Sequence, residues 1–139
     1  MEVTAIALQT VELNQNVLFT ETAVCGSNSI IHRPGSGLVT IRGLTNQCRA
    51  RFKVFFSGNI AIPTGGTVEP ISLAISVNGE PVGSTIMIQT PAAVEQFANV
   101  ASAVYLDVPA GCCSQIGVRN TSTQAIEVQN ANLIVERVA

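Results

Sequence analysis

The chain has 139 residues, 47% of them apolar and only 12% charged, with a formal net charge of −2. That length fits one domain over residues 1–139 with a core that needs no staples, and the composition excludes a disordered chain, which would be charge-rich and apolar-poor. The 7 basic residues are spread along the chain, which excludes the broad basic field of a nucleic-acid binder, and no run of 18 apolar residues predicts insertion into a membrane.

Charged residues stand at about half their usual share, which leaves a surface of Thr, Ser, Asn, Gln and Ala. Such a surface keeps copies apart poorly, so part of it is expected to be buried between subunits. Met1 opens directly on strand-like sequence, without the basic-then-apolar pattern of a secretory signal. Arrival at a surface is therefore expected through lysis or assembly on a particle.

In chain order, Val3 to Leu13 reads as a first strand, Asn14 to Asn16 as a turn, and Val17 to Val24 as a second strand ended by Cys25-Gly26-Ser27-Asn28. Ile30 to Arg33 is a short strand stopped by Pro34-Gly35-Ser36-Gly37, a strong turn cluster. Leu38 to Leu44 follows, closed by Thr45-Asn46-Gln47. Cys48 to Ile62 is the most aromatic strand. Its alternation puts Phe52, Val54 and Phe56 on one face and Arg51, Lys53 and Phe55 on the other. Arg49, Arg51 and Lys53 are the densest basic spot, read as one solvated strand face.

After the loop Pro63 to Gly66, large apolar residues at Ile71, Leu73, Ile75 and Val77 alternate with Ser72, Ala74 and Ser76. This is the period of a strand with one buried face. Asn78-Gly79 is the commonest tight hairpin turn, because both central residues take positive φ. The pattern predicts a central hairpin over Ile71 to Ile88. Ala92 to Ala101 is ambiguous between two helical turns and an extended segment, with the strand neighbours favouring the extended reading. Val100, Ser102, Val104, Leu106 and Val108 alternate as a strand that ends in Pro109-Ala110-Gly111. Cys112 to Asn120 and Ile126 to Val138 complete about ten short strands, the signature of a sandwich or barrel.

Two segments carry a resemblance. Leu73 to Thr85, reading Leu-Ala-Ile-Ser-Val-Asn-Gly-Glu-Pro-Val-Gly-Ser-Thr, is similar to the central hairpin of the globular C-terminal heads of collagen-like glycoproteins on bacterial spores. Asn132 to Ala139 resembles their closing strand, and Val100 to Gly111 matches the tumour necrosis factor and complement-head pattern. The resemblance implies a ten-strand, tumour necrosis factor-like jelly roll that assembles as a homotrimer through one sheet of each subunit. Its usual roles are surface coating, adhesion and receptor recognition. The chain lacks the Gly-X-Y stalk that a collagen segment requires and carries four cysteines. A capsid or tail decoration protein of a phage fits these departures as well as a spore coat does.

No catalytic motif is present. His32 is the only histidine. Ser29 and Ser36 lie near it in sequence, but neither sits in a Gly-x-Ser-x-Gly elbow, so it reads as a turn histidine without a task. No calcium loop occurs, and Gly35-Ser36-Gly37 lacks the third glycine of a dinucleotide loop. No metal or other cofactor is expected. Asn120-Thr121-Ser122 fits a glycosylation acceptor, against which the missing signal segment argues.

Cys25 and Cys48 would pair only if their strand ends meet, which spacing does not decide. Cys112-Cys113 lacks the two-residue gap of a zinc site, and a bond between adjacent cysteines is strained because their Cα atoms lie about 3.8 Å apart. These two are read as buried or loop thiols, with a metal or inter-subunit thiol cluster on a three-fold axis as the alternative. Phe55 and Tyr105 point away from the expected core. They are either scattered surface aromatics or the anchors of a trimer interface.

The reading is a non-enzymatic structural protein, a trimeric jelly roll exposed on the outside of a particle such as a virion or spore, with itself and a host particle protein as partners. The alternative is a head that binds a receptor or glycan in adhesion. The scarcity of aromatics and the absence of Trp weigh against a sugar site.

Overall fold

A computed structural model describes residues 1–26, 28–43 and 48–139. Ser27, the expected strand end at Leu44 and the turn Thr45 to Gln47 lie outside the described residues. Twelve strands are present among them: β1 (Glu2–Ala5), β2 (Gln9–Val11), β3 (Glu21–Val24), β4 (Ile30–His32), β5 (Val39–Arg42), β6 (Arg49–Ala61), β7 (Ile71–Val77), β8 (Glu80–Pro81), β9 (Met87–Gln89), β10 (Ala98–Pro109), β11 (Cys113–Asn120) and β12 (Ile126–Arg137). One 3-10 turn covers Gly83–Thr85. No helix among the described residues is long and apolar enough to cross a membrane.

The strands form two antiparallel sheets, as the alternating patterns predict. The first runs β10-β6-β12-β1-β3, with β2 also on β12; the second runs β4-β5-β11-β7-β8, with β9 also on β7. The inward rows close a dry core between the sheets. Phe52, Val54, Phe56 and Ile60 of β6 meet Ile41, Leu73, Ile75 and Ile116 of the second sheet in one buried cluster.

The connections β3–β4, β5–β6 and β10–β11 cross between the sheets at one pole, while β6–β7, β9–β10 and β11–β12 cross at the other. The registers fix this, because Pro109 faces Arg49, Cys113 faces Arg42 and Glu2 faces Val24. The chain ends belong to the first pole. The Met1 amino group donates to the Val135 carbonyl, and the Arg51 amide donates to the Ala139 carbonyl.

Four expectations are corrected. Val3 to Leu13 is two strands, because β12 bulges between Gln129 and Asn132, with Asn130 at φ 55°. Opposite the bulge Ile6 to Leu8 leave the sheet, and only the Ile6 carbonyl is retained, by the Asn130 amide. Val17 to Val24 is a strand only from Glu21. Before it the chain bridges the layers, with Val17 and Phe19 fully buried, the Val17 amide on the Val118 carbonyl and the Phe19 amide on the Ser36 carbonyl.

The hairpin Ile71 to Ile88 has the predicted turn, with Asn78 at φ 51° and Gly79 at φ 88°, yet it lies at a sheet edge. Its second arm stops at Pro81, which has no N–H for the ladder. The 3-10 turn then swings Thr85 under β7, where its buried hydroxyl accepts from the Ile75 amide at 3.0 Å and donates to the Val82 carbonyl at 2.7 Å. A side chain thus fills the gap between β8 and β9. Residues 92–95 are neither helical nor extended but turned, with Glu95 at φ 59°; the extended reading holds from Ala98.

Candidate functional site

The outward face of the first sheet carries the two aromatics singled out in the sequence. Along β6 the outward residues are Arg51, Lys53, Phe55 and Ser57. Register places Ala103 and Ile134 on either side of Phe55, and Tyr105 and Glu136 on either side of Lys53. Phe55 and Tyr105 are therefore diagonal neighbours on adjacent strands, a spacing that long side chains can bridge. Phe55 is half-buried and Tyr105 is 62% exposed. Ala101 and Ala103, both exposed, leave the middle of this face low and open.

Towards the terminal pole the same face is polar. Arg51 makes a bidentate pair with Asp107, with Nε to Oδ1 at 2.9 Å and a terminal nitrogen to Oδ2 at 3.2 Å, and Arg49 stands 3.7 Å from Oδ2. The hydrogen bond from Arg51, and then the charges of both guanidiniums, hold the Asp107 carboxyl below its usual range; the same bond raises Arg51. The pair is open to solvent, so it orients more than it stabilises.

The basic strip of the sequence is thus one strand face with Arg51 already neutralised. A cleft of about 450 Å³ beside it is lined by Cys48, Arg49, Arg51 and Ala139.

His32 is structural. Its Nε2 lies 3.1 Å from the Ser36 carbonyl and its Nδ1 2.8 Å from the Thr22 hydroxyl. A carbonyl only accepts, so Nε2 carries the proton and Nδ1 accepts from Thr22 in the neutral ring. Phe19 meets the ring edge-on, with centroids 6.4 Å apart. Both nitrogens are committed, and Ser36 Oγ turns to its own loop at Leu38.

Asn120 is equally occupied. Its amide nitrogen faces the carbonyls of Val11 and Gln124, each at 3.0 Å, and Oδ1 accepts from the Ser122 amide at 2.9 Å. The residue is fully buried, so the Asn-Thr-Ser triplet is a fold anchor and offers no acceptor nitrogen in the folded chain.

All four cysteines are free and exposed. Cys112 lies in the β10–β11 connection and Cys113 opens β11, so the buried alternative for these two does not hold. Cys25 and Cys48 come to the same pole, as a pairing would need, yet their thiols are unbonded. No group of three or more His, Cys, Asp or Glu side chains among the described residues is set to hold a metal.

A second cleft was not visible in the sequence, because its walls come from three strands. On the outward face of the second sheet, Ile31, Arg33, Ser36, Leu38, Thr40 and Gln115 line about 440 Å³. Thr40 is paired between Ile31 and Gln115.

Comparison with known proteins bears on the fold. No protein-family model matches the chain, and no curated protein gives a significant match. Among solved structures, the globular domain of zebrafish complement 1qA protein aligns at 12% identity over 96% of this chain and 93% of its own, with a TM-score of 0.59. Murine APRIL aligns at 8% identity over 95% of this chain and 96% of its own, with a TM-score of 0.60. The chain has the two-layer jelly-roll fold of these proteins.

Proposed function

We propose that the chain is a non-enzymatic homotrimeric head, one domain over residues 1–139, that coats the outside of a particle such as a phage capsid, phage tail or spore. The observation that carries this reading is the outward face of the first sheet. Phe55, Ile134 and Tyr105 stand there beside the small residues Ala101, Ala103 and Ser57, and small residues let a second sheet approach closely. Aromatic anchors with a charged rim, here Arg51, Lys53, Asp107 and Glu136, are the composition of an interface. Burying this face in the trimer leaves the second sheet and its loops outward, three copies at a time, so weak contacts add by avidity.

Sedimentation tests the assembly. The wild type is expected at the mass of three 14.5 kDa chains, and Phe55→Glu at that of one. A wild-type monomer at working concentration, or an unchanged Phe55→Glu trimer, would remove this face as the interface. Virion or spore-coat genes beside the coding gene would identify the particle.

A second reading, a receptor- or glycan-binding head, is favoured by the 440 Å³ cleft alone. Arg33, Thr40 and Gln115 offer a cation, a hydroxyl and an amide above Ile31 and Leu38, a set suited to a carboxylated sugar. A glycan array carrying uronic and sialic acids would show selective binding that Arg33→Ala abolishes; a blank array would leave the coat reading alone.

A further inference from the structure

Free cysteine is among the most buried of residue types, and an exposed free thiol is a liability that soluble surfaces avoid. Here all four cysteines are exposed. They are also gathered. Cys25 begins the β3–β4 connection, Cys48 ends the β5–β6 connection, and Cys112 ends the β10–β11 connection with Cys113 opening β11; those three connections share one pole.

Backbone bonds tie the last two connections together: the Ala110 amide to the Cys48 carbonyl, the Gly43 amide to the Cys112 carbonyl, and the Gly111 amide to the Gly43 carbonyl, each at 3.0 Å. Arg42, which faces Cys113 across the ladder, donates its backbone amide to the Ser29 carbonyl at 2.8 Å and so joins the connection that holds Cys25. No cysteine is found at the opposite pole or in the core.

We infer that this pole is a covalent cross-linking surface through which copies of the chain are joined by disulfides. The partner is a second copy, because every copy brings the same thiols and no further protein is needed. The adjacent pair Cys112-Cys113 resists closing on itself, since a bond between neighbours is strained, so both sulfurs remain for outside partners.

The oxidant is a low-molecular-weight disulfide such as oxidised glutathione. A cysteine thiolate of one chain attacks it, forming a protein–glutathione disulfide and releasing one glutathione thiolate. A thiolate of a second chain attacks the protein sulfur of that mixed disulfide and releases the other glutathione. Two protein thiols are oxidised, one glutathione disulfide is reduced, and two protons pass to the glutathiones. Valency then sets the product. One linkable thiol per chain stops at dimers, two give linear chains, and more than two give a branched network.

The test uses the full chain, reduced and then moved to an oxidising glutathione buffer. Free thiols are capped with an alkylating agent, and the product is read on a non-reducing denaturing gel and by intact mass. Equal amounts of light and nitrogen-15 chains mark inter-chain links. The expected result is a ladder of covalent dimers and larger species, with mixed-isotope links among Cys25, Cys48, Cys112 and Cys113, that collapses on reduction.

A variant keeping Cys48 alone should stop at dimers. Val68→Cys on a background with all four cysteines changed to serine puts one exposed thiol at the opposite pole. Its yield is the reference for adventitious oxidation of one exposed thiol, which the variant keeping Cys48 alone should exceed severalfold.

Single chains carrying only glutathione adducts or internal bonds would overturn the inference. So would a yield from the Cys48-only variant no higher than the reference, or association released by a chelator rather than a reductant, which would mean a metal–thiolate cluster. The four-serine variant, run in native sedimentation, reports the non-covalent trimer separately, so failure of the cross-link and failure of the trimer are distinguishable.

Discussion

Glu127 is the residue most at odds with its surroundings. It is the second residue of β12, in the buried start of that strand, and is 9% exposed. Burial raises its carboxyl above the ordinary value of 4.5, and the nearby Glu95 raises it further by charge and hydrogen bonding. A group that holds its proton more tightly when folded stabilises the fold below its unfolded pKa, and that contribution is lost as pH rises through the folded value. Stability should therefore decline as pH climbs above about 4.5. Glu127→Gln, which keeps the shape without the charge, should melt roughly 3 °C higher than wild type at pH 7. The two should converge below about pH 4, where both side chains are neutral. Thermal melts across that range check this, and a constant gap would show that charge is not the cause.

At the scale of elements, Thr85 shows what a strand edge requires. The break between β8 and β9 would leave the Ile75 amide buried and unpaired, and the Thr85 hydroxyl closes it. Thr85→Val preserves volume but strands that amide, at a cost of about 2 kcal/mol in urea unfolding; a loss under 0.5 kcal/mol would mean the edge re-pairs. This break also marks where sequence patterning stops being informative. β6, β7 and β10 were legible because each keeps one face inward over seven or more residues. The second hairpin arm was misread because Pro81 and Thr85 act through backbone partners that periodicity does not register.

The bulge at Asn130 and the crossing at Val17 to Thr20 were invisible for a related reason. Both are settled by a neighbour's register, which belongs to another part of the chain. The clustering of thiols was closer to hand. Each cysteine adjoins a crossing turn, and counting turns along ten alternating traverses, with β1 and β2 as one and β8 and β9 as another, puts all four at one pole. Phe55 and Tyr105 were placed on one face from alternation alone; their diagonal placement needed the β6–β10 register.

For the whole molecule, the two poles and two faces divide the labour. The terminal pole carries the thiols, the first sheet's outer face carries the aromatics, and the second sheet's outer face carries the cleft beside Arg33. Trimer assembly has a thermodynamic consequence that a monomer lacks. If burial of the first-sheet face stabilises the folded chain, the melting temperature must rise with protein concentration, because association draws the folded state forward by mass action. A hundredfold dilution should lower the wild-type melting temperature by several degrees. In Phe55→Glu, measured under reducing conditions so that no disulfide intervenes, the melting temperature should not depend on concentration. A flat wild-type profile would mean that the face stays in solvent. The low charge of the chain as a whole, 12%, would then have to be explained by contact with the host particle, testable as a gain in melting temperature when the isolated particle is added.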